Sequence, residues 1–406
     1  MVKRPSIGLV LSGGGARGAY EAGLIAGIVE VLGLRPDDPP PFDLYAGTSV
    51  GAINAAFLAA HSHRGDLAIE ELVMQWKNLR LVDNLRIDLR GLMGWQEPAR
   101  QRRQRKARAS DPPARFGRSL LDPRPLEAMV RQGVPWEQLH ENIERGLIRG
   151  IMVAALHIGT GRTHLFIEEA PGADFRPSND PRRAYKMEPI QPAHVLASSA
   201  FPLLFPARRV GEHYFCDGGL RFNTPISPVI RAGAERLVVV AVGRGARAPT
   251  AVDASEQYPD PFFLLGKLLA ALLLDPVEYD LQVLERLNEL VAVLEQTLDP
   301  EELQRFTDTV VRTRGAPYRQ LRTLSFRPSG DIGRTAWEFL QERGPKDRAG
   351  RMEEWVLARA ARMRATYEAD LVSFVLFDGN FGTRLADMGR RDAHARAEAI
   401  VEFFKP

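Results

Sequence analysis

The sequence predicts an α/β protein in which a mostly parallel central sheet lies between two layers of helices, followed by a helical C-terminal extension. In the first part of the chain, short apolar runs typical of strands alternate with segments of helical periodicity, as in βα units. After about residue 246, leucines recur at helical spacing, from Leu281 to Leu294. We therefore expect a core over residues 5–245 and a mainly helical extension over residues 246–406 that packs on it.

Two loops of this core are the first candidates for a site, because open α/β sheets place functional residues at the carboxyl ends of strands. The expected strands cover residues 6–11, 42–46, 151–159, 163–168, 213–216 and 236–242. The expected helices of the core cover residues 19–32, 50–61, 66–79 and 137–146. The two candidate loops follow the first and the second of these strands.

The first loop contains three consecutive glycines within the motif Gly13-x-Gly15-x-x-Gly18. Such a loop can aim amides at an attacked carbonyl, as in an oxyanion hole, or hold a pyrophosphate, as in the dinucleotide fingerprint. The fingerprint also needs a strand that ends in an acidic residue about 20 residues further on. Asp37 and Asp38 lie there, but in a proline-rich stretch that cannot form a central strand. An oxyanion hole is favoured, and nucleotide binding and a structural turn stay open as alternatives.

The second loop places Ser49 between Gly47 and Gly51, where an apolar strand-like run turns into a helix-like one. A sharp strand–helix turn strains the backbone of its corner residue and needs small neighbours. The corner hydroxyl then lies at the positive end of the helix dipole, which favours loss of its proton. We predict that Ser49 is a nucleophile; a tight turn with an unreactive serine is the alternative.

A third run, residues 213–216, ends at Asp217 and is followed by Gly218 and Gly219. An aspartate there can act as a base, or it can accept hydrogen bonds from the amides of its own turn. A Ser-His-Asp triad on an α/β-hydrolase sheet needs a histidine after the acid, and the candidate is His394, in a charged helix-like segment. The pattern therefore favours a dyad in which Asp217 takes the Ser49 proton directly.

With these motifs in this order, the chain resembles the patatin-like phospholipases, acyl hydrolases with a Ser–Asp dyad, over roughly residues 5 to 245. The motifs are GGGARG at 13–18, GTSVG at 47–51, ASSAFPLLFP at 197–206, DGG at 217–219 and a further match from 223 to 240. The resemblance implies a three-layer αβα sandwich. Ser12 departs from the pattern, because many members carry an acidic residue there.

The resemblance also implies residue roles. Ser49 is the nucleophile and Asp217 the general base. The amides of Gly13, Gly14 and Gly15 form the oxyanion hole, and Arg17 lies just beyond it. The supporting residues are Arg17, Gly18, Gly47, Gly51, Gly218 and Gly219.

The implied reaction is hydrolysis of a fatty-acyl ester, a phospholipid or lysophospholipid, of the phospholipase A or lysophospholipase type. A catalytically silent lipid- or nucleotide-binding module on the same fold is the alternative. We expect neither a metal nor a cofactor, because one cysteine and scattered histidines show no ligand spacing.

The composition fits a large intracellular enzyme. The single cysteine, Cys216, excludes an intrachain disulfide, which suits a reducing compartment. The apolar run near the N-terminus is only about six residues long, shorter than the core of a signal peptide. The longest apolar stretch, residues 262–274, would reach about 20 Å as a helix, less than a bilayer core. We expect a cytoplasmic protein that meets the inner face of a membrane only at its periphery.

Two further segments bear on the substrate. Residues 97–118 carry a net charge of +6, against +3 for the whole chain. A solvated loop and an anionic-lipid contact through residues 100–108 are both open, whereas nucleic acid is disfavoured because interleaved aromatic residues are missing. Residues 261–274 are apolar on every face, which fits a core or oligomer helix better than a lid over an acyl pocket.

Overall fold

The computed structural model describes residues 4–79, 123–202, 204–243, 275–342 and 368–405. Within them, a nine-stranded sheet is flanked by helices on both faces. The strands are β1 (Ile7–Leu11), β2 (Leu44–Thr48), β3 (Gly150–His157), β4 (Thr163–Glu169), β5 (Arg183–Met187), β6 (Arg208–Val210), β7 (His213–Asp217), β8 (Arg236–Val240) and β9 (Arg322–Phe326).

The helices of the core region are α1 (Gly18–Leu32), α2 (Val50–Ala60), α3 (Ile69–Asn78), α4 (Arg124–Gly133), α5 (Trp136–Glu144), α6 (Pro192–Ser198) and α7 (Ile226–Arg231). Those that follow are α8 (Asp275–Thr297), α9 (Pro300–Arg314), α10 (Ile332–Glu342), α11 (Glu368–Val375), α12 (Gly379–His394) and α13 (Ala397–Phe404). The two lists confirm the predicted α/β class and its helical C-terminal region.

The sheet is mostly parallel, as predicted. Its main path runs β5-β4-β3-β2-β1-β8-β9. The parallel pairs along it are β5 with β4, β3 with β2, β2 with β1, β1 with β8, and β8 with β9. The antiparallel pairs are β3 with β4, β3 with β7, and β6 with β7. β1 is apolar along its whole length and β8 is apolar from Leu237 onward, because both faces of the sheet are covered.

One edge of β3 is shared by two strands. β2 pairs with its first part and ends where Thr48 lies opposite Ala154. β7 pairs with its last part, beginning where Asp217 lies opposite Ala155. The turn that leaves β2 and the residue that ends β7 therefore meet at adjacent positions of a third strand.

The side chains of β1 alternate between the two layers. Leu9 and Leu11 point to the layer that contains α1 and α2, and Val10 points to the layer that contains α7 and α8. The apolar side chains between the sheet and each helix layer are buried, so the core lies on both faces of the sheet.

The C-terminal region is joined closely to the core. β9 adds a parallel edge strand next to β8, and α12 packs along α1. The sequence did not predict β9, because only Leu324 and Phe326 alternate with polar residues in this short run. The division at residue 245 stays a prediction, and residues 97–118 and 261–274 lie outside the described residues. Among the described helices, none combines the length and apolarity needed to cross a membrane.

We expect Gly23→Ala to separate α1 from α12. A methyl group on Gly23 would lie 1.9 Å from the carbonyl oxygen of Ala386, so one helix must shift. Overpacking of this kind costs about 2–3 kcal/mol of unfolding free energy, which urea denaturation measures. Gly33→Ala is the control at the end of the same helix: it meets open space, and its left-handed φ of 64° limits the cost to about 1 kcal/mol. Equal losses in the two variants would contradict this tight helix contact.

Candidate active site

Ser49 occupies the turn between β2 and α2 in a strained conformation. Its φ of 56° and ψ of −127° lie in a region that side-chain-bearing residues rarely adopt. A methyl group on Gly47 would lie 2.2 Å from the carbonyl oxygen of Gly51, and one on Gly51 would lie 2.4 Å from that of Leu11. The turn can therefore be this sharp only with glycine at both positions.

Two serines of the 197–206 stretch hold the Ser49 backbone. The Ser49 N–H donates to Ser198 Oγ at 2.8 Å, and Ser198 Oγ donates to the Ala154 carbonyl at 2.6 Å. Ser199 Oγ donates to the Ser49 carbonyl at 3.0 Å. Sequence reasoning assigned these serines no role. The sequence shows only that the two serines are consecutive within the 197–206 motif, and this does not predict that they contact the Ser49 turn.

Asp217 lies against the Ser49 hydroxyl. Ser49 Oγ donates to Asp217 Oδ2 at 2.6 Å, and the Gly219 N–H donates to Oδ1 at 2.7 Å. Each carboxylate oxygen therefore has one partner: the serine and the amide of its own turn. Ser49 is 8% exposed and Asp217 2% exposed, so the pair is nearly shielded from water.

Burial sets the protonation behaviour of this carboxyl. It raises the pKa of Asp217 to about 7, because the charged form loses its hydration. The hydrogen bonds from Ser49 and Gly219 act in the opposite direction and lower the pKa. A carboxyl group that titrates near neutral pH can both take and return a proton under ordinary conditions.

No histidine joins the pair. All eight histidines lie in the described part of the chain, and none forms a hydrogen bond with Ser49 or Asp217. His394, at the end of α12, is exposed and bonds to Glu30. The observed geometry is a serine–aspartate pair.

The glycine loop follows β1 and lines the same cavity as Ser49. The Gly13 N–H donates to Asn223 Oδ1 at 3.0 Å, and Asn223 Nδ2 donates back to the Gly13 carbonyl at 3.1 Å. The Gly13 amide, which was predicted to belong to an oxyanion hole, thus already donates its hydrogen bond to Asn223. The amides of Gly14 and Gly15 donate to no acceptor among the described residues. Asn223 begins the matching stretch at 223–240, but no local feature of the sequence predicts its contact with Gly13, which lies 210 residues away.

Arg17 is buried just beyond the loop and points into the C-terminal region. Its Nε and Nη2 donate to Ser373 Oγ at 2.9 and 2.7 Å, and Nη1 donates to the Val242 carbonyl at 3.2 Å. The guanidinium also covers the Phe374 ring, 4.1 Å from its centroid. Arg17 therefore connects the glycine loop to α11.

A narrow cavity of about 30 Å³ opens beside Ser49, Asp217 and the glycine loop. Most of its wall is apolar. The apolar side chains include Leu126, Phe201, Leu204, Phe205, Phe374 and Phe377. Within the described residues, no cluster of histidine, cysteine and carboxylate side chains has the makeup of a metal site.

Comparison with known proteins assigns the family. The family model described as patatin-like phospholipase matches residues 9–230, more than half of the chain. The chain therefore belongs to the patatin-like phospholipase family, a class of lipid acyl hydrolases, and the resemblance drawn from its motifs is confirmed. No curated protein matches it in sequence.

Two solved structures are distantly similar. VipD from Legionella pneumophila is 13% identical, with 94% of this chain and 92% of VipD covered at a TM-score of 0.34. Human GIVD cytosolic phospholipase A2, in complex with methyl gamma-linolenyl fluorophosphonate, is 15% identical at a TM-score of 0.41. Coverage there is 98% of this chain but 59% of the human chain, so this protein spans less than two thirds of the human enzyme's length.

We expect hydrolysis of a soluble ester to increase as pH rises through about 7, the pKa of Asp217. The raised pKa means that the carboxyl is protonated below this pH, and a protonated carboxyl cannot accept the Ser49 proton. The kcat/KM of a nitrophenyl ester should therefore fall about tenfold per pH unit below the midpoint. Its pH profile from 5 to 9 provides the measurement. A flat profile, or a midpoint near 4, would contradict Asp217 as a buried base.

Proposed function

We propose that this protein is a serine acyl-ester hydrolase in which Ser49 is the nucleophile and Asp217 the general base. The single observation that carries the proposal is the 2.6 Å hydrogen bond from Ser49 Oγ to Asp217 Oδ2. A nucleophile and its general base transfer a proton within hydrogen-bond reach of each other, and this pair lies at that distance. The strained turn and the dipole of α2 support the same assignment.

Acylation begins when Asp217 takes the Ser49 proton and Ser49 Oγ attacks the ester carbonyl carbon. Negative charge then develops on the carbonyl oxygen. We assign its stabilisation to the amides of Gly14 and Gly15, since Gly13 already donates to Asn223. The intermediate collapses as the bond to the alcohol oxygen breaks, and Asp217 returns its proton to that oxygen. The alcohol leaves, and the acyl group stays on Ser49.

Deacylation repeats these steps with water. Asp217 takes a proton from a water molecule, whose oxygen attacks the acyl-serine carbonyl. Ser49 Oγ then leaves and recovers the proton from Asp217, which releases the fatty acid. The same carboxyl thus acts as base and as acid in both halves, which suits a pKa near 7.

The apolar cavity favours a fatty-acyl chain on the substrate. Seven apolar side chains, Val50 and the six named above, surround the space beside Ser49, whereas Ser49 and Asp217 provide polar groups at the reacting end. Together with the family, this supports phospholipid or lysophospholipid as the substrate class.

Ser49→Ala should abolish hydrolysis and labelling by a fluorophosphonate probe, because the variant lacks the oxygen that forms the covalent bond. Asp217→Asn should cost about a thousandfold or more in kcat, because asparagine cannot accept the proton. Circular dichroism should show that both variants remain folded. Ser62→Ala is the matched control: this serine is also buried, bonds to Tyr45 and does not line the cavity.

Three outcomes would overturn the assignment. Full turnover in Ser49→Ala would place the nucleophile elsewhere. A loss in His213→Ala as deep as that in Asp217→Asn would replace the dyad with a triad. A wild-type protein that neither labels nor turns over an ester would be a silent lipid- or nucleotide-binding module.

A membrane contact through residues 100–108 is a separate part of the proposal, which the charge of the segment supports. These residues lie outside the described residues. Replacing Arg102, Arg103, Arg105, Lys106 and Arg108 with glutamine should weaken binding to anionic vesicles by about 1 kcal/mol per residue at low salt. Co-sedimentation measures the change, and turnover of a soluble ester should stay the same. Unchanged vesicle binding would mean that the segment is a solvated loop without a lipid contact.

A further inference from the structure

Two phenylalanines on the cavity wall come from outside the region that the family model matches. Phe374 lies in α11 and Phe377 just after it, more than 140 residues beyond the end of the matched region. Both line the cavity beside Ser49 and both are buried, with 4% and 3% of their surface exposed. The part of the chain that defines the family therefore does not complete this cavity.

Phe377 packs against two other aromatic side chains, Phe205 and Trp76. Its ring packs edge-on against Phe205, with centroids 6.2 Å apart and an interplanar angle of 75°. It also lies nearly parallel to Trp76 of α3, at 6.5 Å and 11°. Phe201 and Leu204, in contrast, are only half-buried. Phe374 and Phe377 are thus more enclosed by the protein than Phe201 and Leu204.

The backbone that carries these rings is held at both ends. On one side, Arg17 donates twice to Ser373, and a methyl group on Gly15 would lie 2.1 Å from the Phe374 carbonyl oxygen. On the other side, Asp378 caps α12 by accepting from the amides of Asn380 and Phe381. The glycine loop and α12 therefore fix the position of the two rings relative to Ser49.

The reacting end of the cavity is held in place by polar side chains. Ser198 and Ser199 bond to the Ser49 backbone, and Asn223 bonds to Gly13. The apolar side chains of the wall can therefore change the room for an acyl chain without moving Ser49 or the glycine loop.

We propose that Phe374 and Phe377 form part of the wall of the acyl-chain pocket and limit the length of chain that Ser49 accepts. This inference rests on the proposed function. The two rings occupy space beside Ser49 that a longer acyl chain would need. The substrate class is a fatty-acyl ester whose chain length these two rings limit.

The test is a series of nitrophenyl esters from butanoate to decanoate, with wild type, Phe374→Ala and Phe377→Ala. Removal of either ring lengthens the pocket, so the ratio of kcat/KM for decanoate to that for butanoate should rise about tenfold or more. Phe339→Ala is the matched control: Phe339 is a buried phenylalanine of α10 that does not line the cavity. Its ratio should equal that of wild type. Phe377→Leu, a milder change, should raise the ratio in the same direction if an alanine variant fails to fold.

Equal chain-length profiles in wild type and in the phenylalanine variants would overturn the proposal. A second measurement separates this failure from a failure of the proposed function, because it needs no turnover. In a Ser49→Ala background, calorimetry compares binding of methyl octanoate with binding of methyl butanoate. Adding Phe377→Ala should strengthen octanoate binding about tenfold relative to butanoate. If wild type hydrolyses no ester, the hydrolase assignment fails, and this binding ratio still decides whether the two rings limit the pocket.

Discussion

The site depends on one feature of the sheet: β2 and β7 share one edge of β3. β2 ends opposite Ala154 and β7 ends opposite Ala155, so the turn after one strand meets the last residue of the other. A slip of one residue in either register would turn the side chains to the opposite face. The 2.6 Å contact between Ser49 and Asp217 therefore rests on backbone pairing, with no flexible side chain between the two groups.

Burial of the Asp217 carboxyl lowers the stability of the folded protein at neutral pH. In the folded protein the pKa of Asp217 is raised from 3.8 to about 7. At low pH, Asp217 is protonated in both the folded and the unfolded chain, so its burial carries little electrostatic cost. As pH rises from about 4 through 7, the unfolded chain ionises Asp217 more readily than the folded protein does, and the free energy of unfolding falls. Over that interval the loss amounts to about 4 kcal/mol, since each pKa unit corresponds to about 1.4 kcal/mol. The strained φ of Ser49 adds to this cost. The buried apolar core on both faces of the sheet offsets the cost of burying Asp217 and the cost of the Ser49 backbone strain.

The C-terminal region is structurally part of the site. β9 extends the sheet beside β8, and α12 lies against α1 so closely that Gly23 admits no side chain. Between these elements, α11 reaches the glycine loop through the contact of Arg17 with Ser373. The region beyond the family motifs thus contributes to the wall of the cavity that Ser49, Asp217 and the glycine loop also line.

The sequence by itself determined the elements whose causes are local. The alternation of apolar runs predicted most core strands, and the glycines around Ser49 predicted a sharp turn because only glycine permits such close backbone approach. Tertiary structure decided which of these elements touch. Asn223 takes the Gly13 amide, Ser198 holds Ser49, and Phe374 closes the cavity, although these partners lie far apart in the chain. Such contacts follow from strand register and helix docking, which depend on the packing of the whole chain. The local pattern of residues therefore cannot predict them.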